Sequence, residues 1–220
     1  MSKNKFRSFG FGSVIAPLFA MSQGVGATTI SNPGAISFPD SGAATPYPSN
    51  IVSGLTGTIT DVNVTISGLS HTFPDDIDIL LVGPGGQTIL LMSDSGAAID
   101  ITNVTITFDD AASSSLPNGP TVTSGTFKPI DYNGNDGPND TFPGPAPAGP
   151  YSSLLSVFNG TNPNGTWSLF VLDDQAQDIG SIANGWSLDI TTAAVPEPGS
   201  LMLLSLGFAG LAARGFKKQK

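Results

Sequence analysis

The 220-residue chain contains no cysteine and one histidine, His71. The first absence excludes disulfides and a thiolate nucleophile, so the fold has to be held by packing or by bound metal. The second leaves His71 as the sole imidazole for any Ser/His/Asp triad, which needs one as its general base. Zinc chemistry, which draws on Cys and His, has almost nothing to work with. Basic residues are scarce where they would matter: three of the eight Lys and Arg lie at the start of the chain and four at its end, leaving Lys128 alone in residues 28–195. Glutamate is missing from the same stretch, which holds sixteen Asp. One lysine against sixteen aspartates gives a formal balance of −15, a surface that repels nucleic acid and anionic polymers and favours cations as partners. Asp also competes with the helix for backbone hydrogen bonds and prefers turns.

No apolar run is long enough for a comfortable membrane span. The longest mostly apolar stretch near the end, residues 201–213, would rise only about 20 Å as a helix, against a hydrocarbon core of roughly 30 Å. It follows the triplet Pro196, Glu197 and Pro198 and precedes Arg214, Lys217, Lys218 and Lys220, a basic end of the kind retained in the cytoplasm. This order over residues 195–220 resembles the PEP-CTERM sorting tail. The resemblance implies recognition by an exosortase-type processing enzyme in the inner membrane of a Gram-negative bacterium, a transient stay there as a short C-terminal apolar helix, and cleavage near the triplet. The alternative is a lasting C-terminal anchor. At the other end, Lys3, Lys5 and Arg7, an apolar core over residues 9–21 and the small residues Val25, Gly26 and Ala27 form a secretory signal peptide over 1–27. Signal peptidase is expected to cut between Ala27 and Thr28.

The remaining chain is one domain's worth, and its hydrophobic pattern has a period of two. Val62, Val64 and Ile66 set the beat; Ile77, Ile79 and Leu81, then Ile89 and Leu91, Val104, Ile106 and Phe108, Trp167, Leu169 and Val171, and Trp186, Leu188 and Ile190 repeat it. Turn formers such as residues 83–86 and 164–165 separate the runs. An all-β, antiparallel jelly-roll β-sandwich over residues 50–193 is expected. Residues 28–49, rich in proline, read as an extended lead-in with a short strand near 35–38, and residues 131–150 as a long ordered loop or lid. Trp167 and Trp186 share the phase of the core residues, whereas Tyr47, Tyr132 and Tyr151 fall in loops where a ring could stack on a sugar.

Two separated motifs carry a further resemblance. The run 71–86, with His71, Asp76, Pro84 and Gly86, and the later set Asn164, Gly165, Trp167, Asp173, Gly180 and Trp186 are similar to the two halves of the P domain (P/Homo B) of proprotein convertases. The resemblance covers roughly residues 50–192 and implies a jelly-roll sandwich of about eight strands. In that family the domain accompanies subtilisin-like serine proteases and stabilises them, so a serine-endopeptidase-associated accessory role is one reading. Nothing here resembles the subtilase motifs themselves, and the sandwich leaves no room for a second domain.

Asp75, Asp76 and Asp78 form one acidic cluster, Asp173, Asp174 and Asp178 a second, and Asp109 with Asp110 a third. Carboxylates in loops suit Ca2+, which takes six to eight oxygen ligands; the alternative is solvated turn carboxylates and caps. The segment from Asp131 to Gly137 starts like an EF-hand loop, but Asp136 stands where that loop needs Gly and Phe142 where it needs Glu. The resulting expectation is a secreted, non-catalytic protein of the cell surface or exopolysaccharide matrix. Its role is structural or adhesive, or that of a calcium-dependent glycan-binding module, with extracellular polysaccharide as partner.

Overall fold

The computed structural model describes residues 26–132 and 140–193. The signal sequence up to residue 25 and the whole sorting tail, with Pro196, Glu197 and Pro198, lie outside the described residues. Thirteen strands form two packed sheets: β1 (Ala27–Asn32), β2 (Ile36–Phe38), β3 (Gly42–Ala43), β4 (Ser49–Ser53), β5 (Thr58–His71), β6 (Ile77–Val82), β7 (Thr88–Ser93), β8 (Ile101–Phe108), β9 (Gly125–Phe127), β10 (Ile130–Asp131), β11 (Gly165–Asp173), β12 (Gly180–Ile182) and β13 (Trp186–Ala193). The first sheet runs β1-β13-β5-β12-β2, with β8 and β9 continuing from β5. The second runs β10-β7-β6-β11-β3, with β4 also on β11. All pairings are antiparallel except β9 on β8 and β10 on β7, two short edge additions. The all-β sandwich expected from the period-two pattern is what the chain forms.

The alternating residues do what their spacing predicts. Val62, Val64, Ile66, Leu188 and Ile190 from the first sheet face Ile77, Ile79, Leu81, Ile89, Leu169 and Val171 from the second in one continuous core. Trp167 and Trp186 are fully buried there, the indole of Trp167 packing edge-on against Phe158 at 4.8 Å between ring centres. Their N–H groups donate to Pro163 O and Ser49 Oγ, satisfying the one polar atom each indole carries.

Residues 28–49 are more than a lead-in. β1 pairs along the length of β13 from Ala27↔Thr191 to Asn32↔Trp186, β2 pairs with β12, and β3 and β4 lie on β11. Backbone hydrogen bonding recruits these strands, which is why their polar, proline-broken sequence gave little warning.

A second, smaller apolar cluster lies on the outer face of the second sheet. Leu80, Leu90, Phe170 and Leu172 point away from the main core and are covered by Phe142, Tyr47, Ala146 and Tyr151. The proline-rich residues 140–151 therefore roof this face, and β6 is buried on both sides.

Candidate functional site

β6 divides the sequence's leading acidic cluster. The short 3-10 turn Pro74–Asp76 leads into the strand, and alternation then sends Ile77, Ile79 and Leu81 to the main core and Leu80 to the roofed outer face. Asp78 shares the parity of Leu80 and so belongs with that outer face.

The first group gathers where β5 ends, β11 ends and β12 begins. Asp76 is buried, and its backbone carbonyl accepts from the Asp174 N–H at 3.1 Å. Burial, followed by the negative charges of Asp174, Asp173, Asp178 and Asp75, pushes its carboxyl up to about 7. Asp178 Oδ1 accepts from Thr72 Oγ1 at 2.8 Å. His71 stands beside this group with both ring nitrogens engaged. Nδ1 accepts from the Phe73 N–H at 3.1 Å, which leaves Nε2 to donate to Asp173 Oδ2 at 3.1 Å. Neither side chain of the pair reaches solvent. Burial raises the Asp173 carboxyl, and the hydrogen bond and charge of His71 work against that rise. Gly180 pairs with His71 across β12 and β5, and a Cβ there would run into the imidazole, the Phe38 ring and the Ser70 carbonyl. The motif residues His71, Asp173 and Gly180 thus form one packed unit. Pro84 and Gly165 form another contact between the motif halves: Gly165 has φ of +126°, and a Cβ on it would stand 2.9 Å from Pro84 Cβ. Gly86 closes the 83–87 turn, donating to Gly83 O at 2.9 Å, and the exposed Asn164 follows the cap formed by Asn162 Oδ1 on its N–H.

The second group lies under the roof of the outer face. Asp78 on β6 is 3% exposed, and its Oδ2 has no hydrogen-bond partner. Burial first, then the charge of Asp140, pushes its carboxyl up to about 9; a hydrogen bond from Ser93 opposes the rise, and Asp174 and Asp94 add to it. Ser93 sits on the neighbouring β7, and Asp131 on β10 stands in register with Ser93. Asp140 is buried at the start of the roof. Asp94 follows Ser93 with φ of +51° and accepts from Ser93 Oγ at 3.1 Å. Asp131 and Asp140 also line a cleft of about 390 Å³ with Leu90, Thr141, Pro150, Tyr151 and Ser152. Among the described residues, no three carboxylate or imidazole side chains converge closely enough to hold a metal ion by themselves. Asp75, Asp173, Asp174 and Asp178 act on Asp76, while Asp78 feels Asp140 first and then Asp174 and Asp94, so Asp174 stands between the two groups. Asp140 reaches Asp78 through the roofing segment, which nothing in the period-two pattern announces.

The third cluster is structural. Asp110 accepts from the Leu155 and Ser156 N–H groups, both at 2.9 Å, and Asp109 Oδ1 accepts from the Ala111 N–H at 2.7 Å. The three loop tyrosines are tied down through their hydroxyls: Tyr47 to Pro143 O, Tyr132 to Leu116 O and Tyr151 to Pro147 O. Only the Tyr151 ring also lines the cleft.

Two stretches of the chain resemble known families, its tail and its sandwich. Residues 194–218 match the PEP-CTERM protein-sorting motif, which marks the chain for secretion and exosortase sorting. Among solved structures, similarity is found to the complex of the Aeromonas sobria serine protease with the chaperone ORF2, at 16% identity and a TM-score of 0.40, covering 77% of this chain. The serine protease of Aeromonas sobria alone aligns at 16% identity and a TM-score of 0.39, covering 76%. This chain spans about a quarter of either of those, 26% in each case. No curated protein sequence matches it. Residues 59–190 match the profile of the proprotein convertase P-domain, an accessory rather than a catalytic domain, and with more than half of its length so matched the chain belongs to the proprotein convertase P-domain family.

Proposed function

We propose that this protein is a non-catalytic module of the cell surface and exopolysaccharide matrix that binds a neutral glycan in the cleft beside Tyr151. The observation that carries the proposal is the cleft itself: an aromatic ring next to the carboxylates of Asp131 and Asp140 and the hydroxyls of Thr141 and Ser152. A ring that stacks on a sugar face, set among groups that accept and donate to its hydroxyls, is the usual make-up of such a site. The charge of the domain favours a neutral polymer over an anionic one. The sorting motif accounts for delivery, and the proline-rich roof gives the cleft a pre-formed wall.

His71 supports the non-catalytic reading. A triad base must have a ring nitrogen free for the nucleophile's proton, and both of its nitrogens are taken, inside the fold. Its position, between Asp173 and Gly180, is that of a core strut.

The test is retention of the exported protein on neutral polysaccharide from washed extracellular matrix, compared with its Tyr151→Ala variant. Retention of the parent and loss of about tenfold or more in the variant is the expected result. Casein hydrolysis by the exported protein, abolished by a serine-protease inhibitor, would overturn the reading in favour of proteolysis.

A further inference from the structure

The bond expected to be cut on export, Ala27–Thr28, does not lie in a loop. It lies inside the first strand of the finished sheet. Ala27 stands opposite Thr191 on β13 and Thr28 opposite Ile190, and the pairing runs on to Asn32 opposite Trp186. A protease takes its substrate as a short stretch of chain free of other partners, which is why nicking concentrates in exposed, unpaired segments or waits for a local opening. The signal peptidase and the fold therefore compete for the same residues.

The build of β1 suits a strand that joins late. It lies at the edge of the first sheet and, among the described residues, pairs with β13 alone. None of its six residues is fully buried: Ala27, Thr28, Thr29 and Ser31 are exposed, and Ile30 is the residue that packs against the main core. Its far end is fixed. Asn32 Nδ2 donates to Ser49 Oγ at 3.2 Å and to Asn50 O at 3.0 Å, and Gly185 lies so near the Asn32 carbonyl that a Cβ there would run into it. Towards the free end the Thr29 hydroxyl donates to Asp189 Oδ1 across the exposed face. Because the pairing is antiparallel, the Ala27 end lies beside the last residues of β13, and the sorting motif starts at residue 194, directly after Ala193. Ala193 pairs with Thr58 on β5, so the root of the tail is held independently of β1.

We propose that β1 is a strap, hinged at Asn32, that stays off the sheet while the signal sequence is attached and closes onto β13 once signal peptidase has cut. Water adds across the Ala27–Thr28 peptide bond, leaving a carboxylate on Ala27 and an amino group on Thr28. The mature strand keeps the pairs from Thr28 to Asn32. Its new end carries a positive charge below about pH 8. That charge arises one residue from the Thr29–Asp189 contact, in residues 28–195, whose formal balance is −15. The cut thus frees the strand and gives its end a charge that the acidic sheet attracts. N-terminal processing comes before completion of the edge from which the sorting tail leaves. This rests on the signal-peptide reading of residues 1–27 and holds whether or not a glycan enters the cleft.

The chain has no cysteine, so an introduced pair reports its own contact. Thr29→Cys with Asp189→Cys replaces two side chains that touch across β1 and β13. Thr65→Cys with Thr107→Cys, at hydroxyls 2.9 Å apart across β5 and β8, reports whether the sandwich itself has formed. Each pair is placed in the full chain and in its Val25→Asp form, which removes the small apolar residue that the cleavage site needs. Cells are quenched with a thiol-alkylating agent and each species is read by intact mass. The expected product starts at Thr28 and is crosslinked between positions 29 and 189 at least about tenfold more than the signal-bearing Val25→Asp chain, while positions 65 and 107 crosslink in both. Equal crosslinking of 29 with 189 with and without the signal sequence overturns the strap. So does its absence from the product that starts at Thr28, or loss of both crosslinks in the signal-bearing chain, which would make the cut a gate on the whole sandwich. A product that starts elsewhere than Thr28 overturns the signal-peptide reading and the proposal with it.

Discussion

Replacing His71 by Ala separates a structural from a catalytic histidine. The substitution removes the Nε2 donor at 3.1 Å from Asp173 Oδ2 and the acceptor of the Phe73 N–H, and it withdraws the ring that packs on Phe38 at 5.6 Å between ring centres. A hydrogen bond to a charged partner contributes about 1.5–3 kcal/mol, and breaking one side of a buried pair costs about 3–5 kcal/mol because the remaining charge is stranded. We therefore expect His71→Ala to lose about 3–5 kcal/mol in urea unfolding at pH 7. At about 2–4 °C per kcal/mol for a domain of this size, the midpoint falls by roughly 10 °C. Asp173→Asn alone should cost less, since its amide oxygen still accepts from Nε2. In the His71→Ala background the same change removes the stranded carboxylate, so the double variant should be more stable than His71→Ala by about 1–3 kcal/mol. Effects that add to within about 0.5 kcal/mol would show that the two side chains are not energetically coupled and refute the reasoning. A catalytic histidine would give the opposite pattern, with activity lost and stability little changed.

Other expectations concern packing, charge and the cleft. Gly180→Ala forces a methyl against the His71 and Phe38 rings and a backbone carbonyl, and should cost about 1–3 kcal/mol, read from the same urea curves. Trp167→Ala opens a large cavity beside Phe158 and should cost about 3–5 kcal/mol. In chelator, stability should fall as pH rises from about 4 to 9. Asp76 and Asp78 have folded values raised to about 7 and about 9 above the ordinary 3.8, so their native forms hold protons that the unfolded chain has already released. Their contribution is complete below pH 3.8 and is lost through those raised values; Asp78→Asn should flatten the upper part of the curve, and a native protein that grows more stable over that range would contradict the burial argument. Tyr151→Ala should leave the unfolding midpoint within a few degrees while removing glycan retention, because the ring is only partly buried at the cleft wall.

The strands of the main core were legible because their side chains obey one rule. Val62 to Ile66, Ile77 to Leu81 and Trp186 to Ile190 alternate between a dry face and a wetter one, and the packed sheets reproduce that alternation. β1 to β4 follow no such rule: Ala27–Asn32 is held by its ladder to β13, and β3 is two residues long. The outer cluster was hidden for a related reason. Leu80 and Leu90 break the alternation of β6 and β7, and a reading limited to period two has no place for a second buried face roofed by residues 140–151.

The composition then acquires a structural meaning that solubility alone does not provide. Solvent-exposed aspartates serve solubility equally well at any surface position, and Asp109 and Asp110, capping backbone N–H groups, need nothing more. Asp76, Asp78, Asp94, Asp140 and Asp173 are buried, where each costs stability unless it is partnered. Histidine answers one of them, Asp173. Asp94 accepts from Ser93 Oγ, and for Asp76 and Asp78 burial raises the carboxyl, so their native forms hold protons that the unfolded chain has released. A domain built in this way has its stability coupled to pH. Pulse proteolysis at about pH 5 and about pH 8 reads that difference directly, with more of the open form cut at the higher pH.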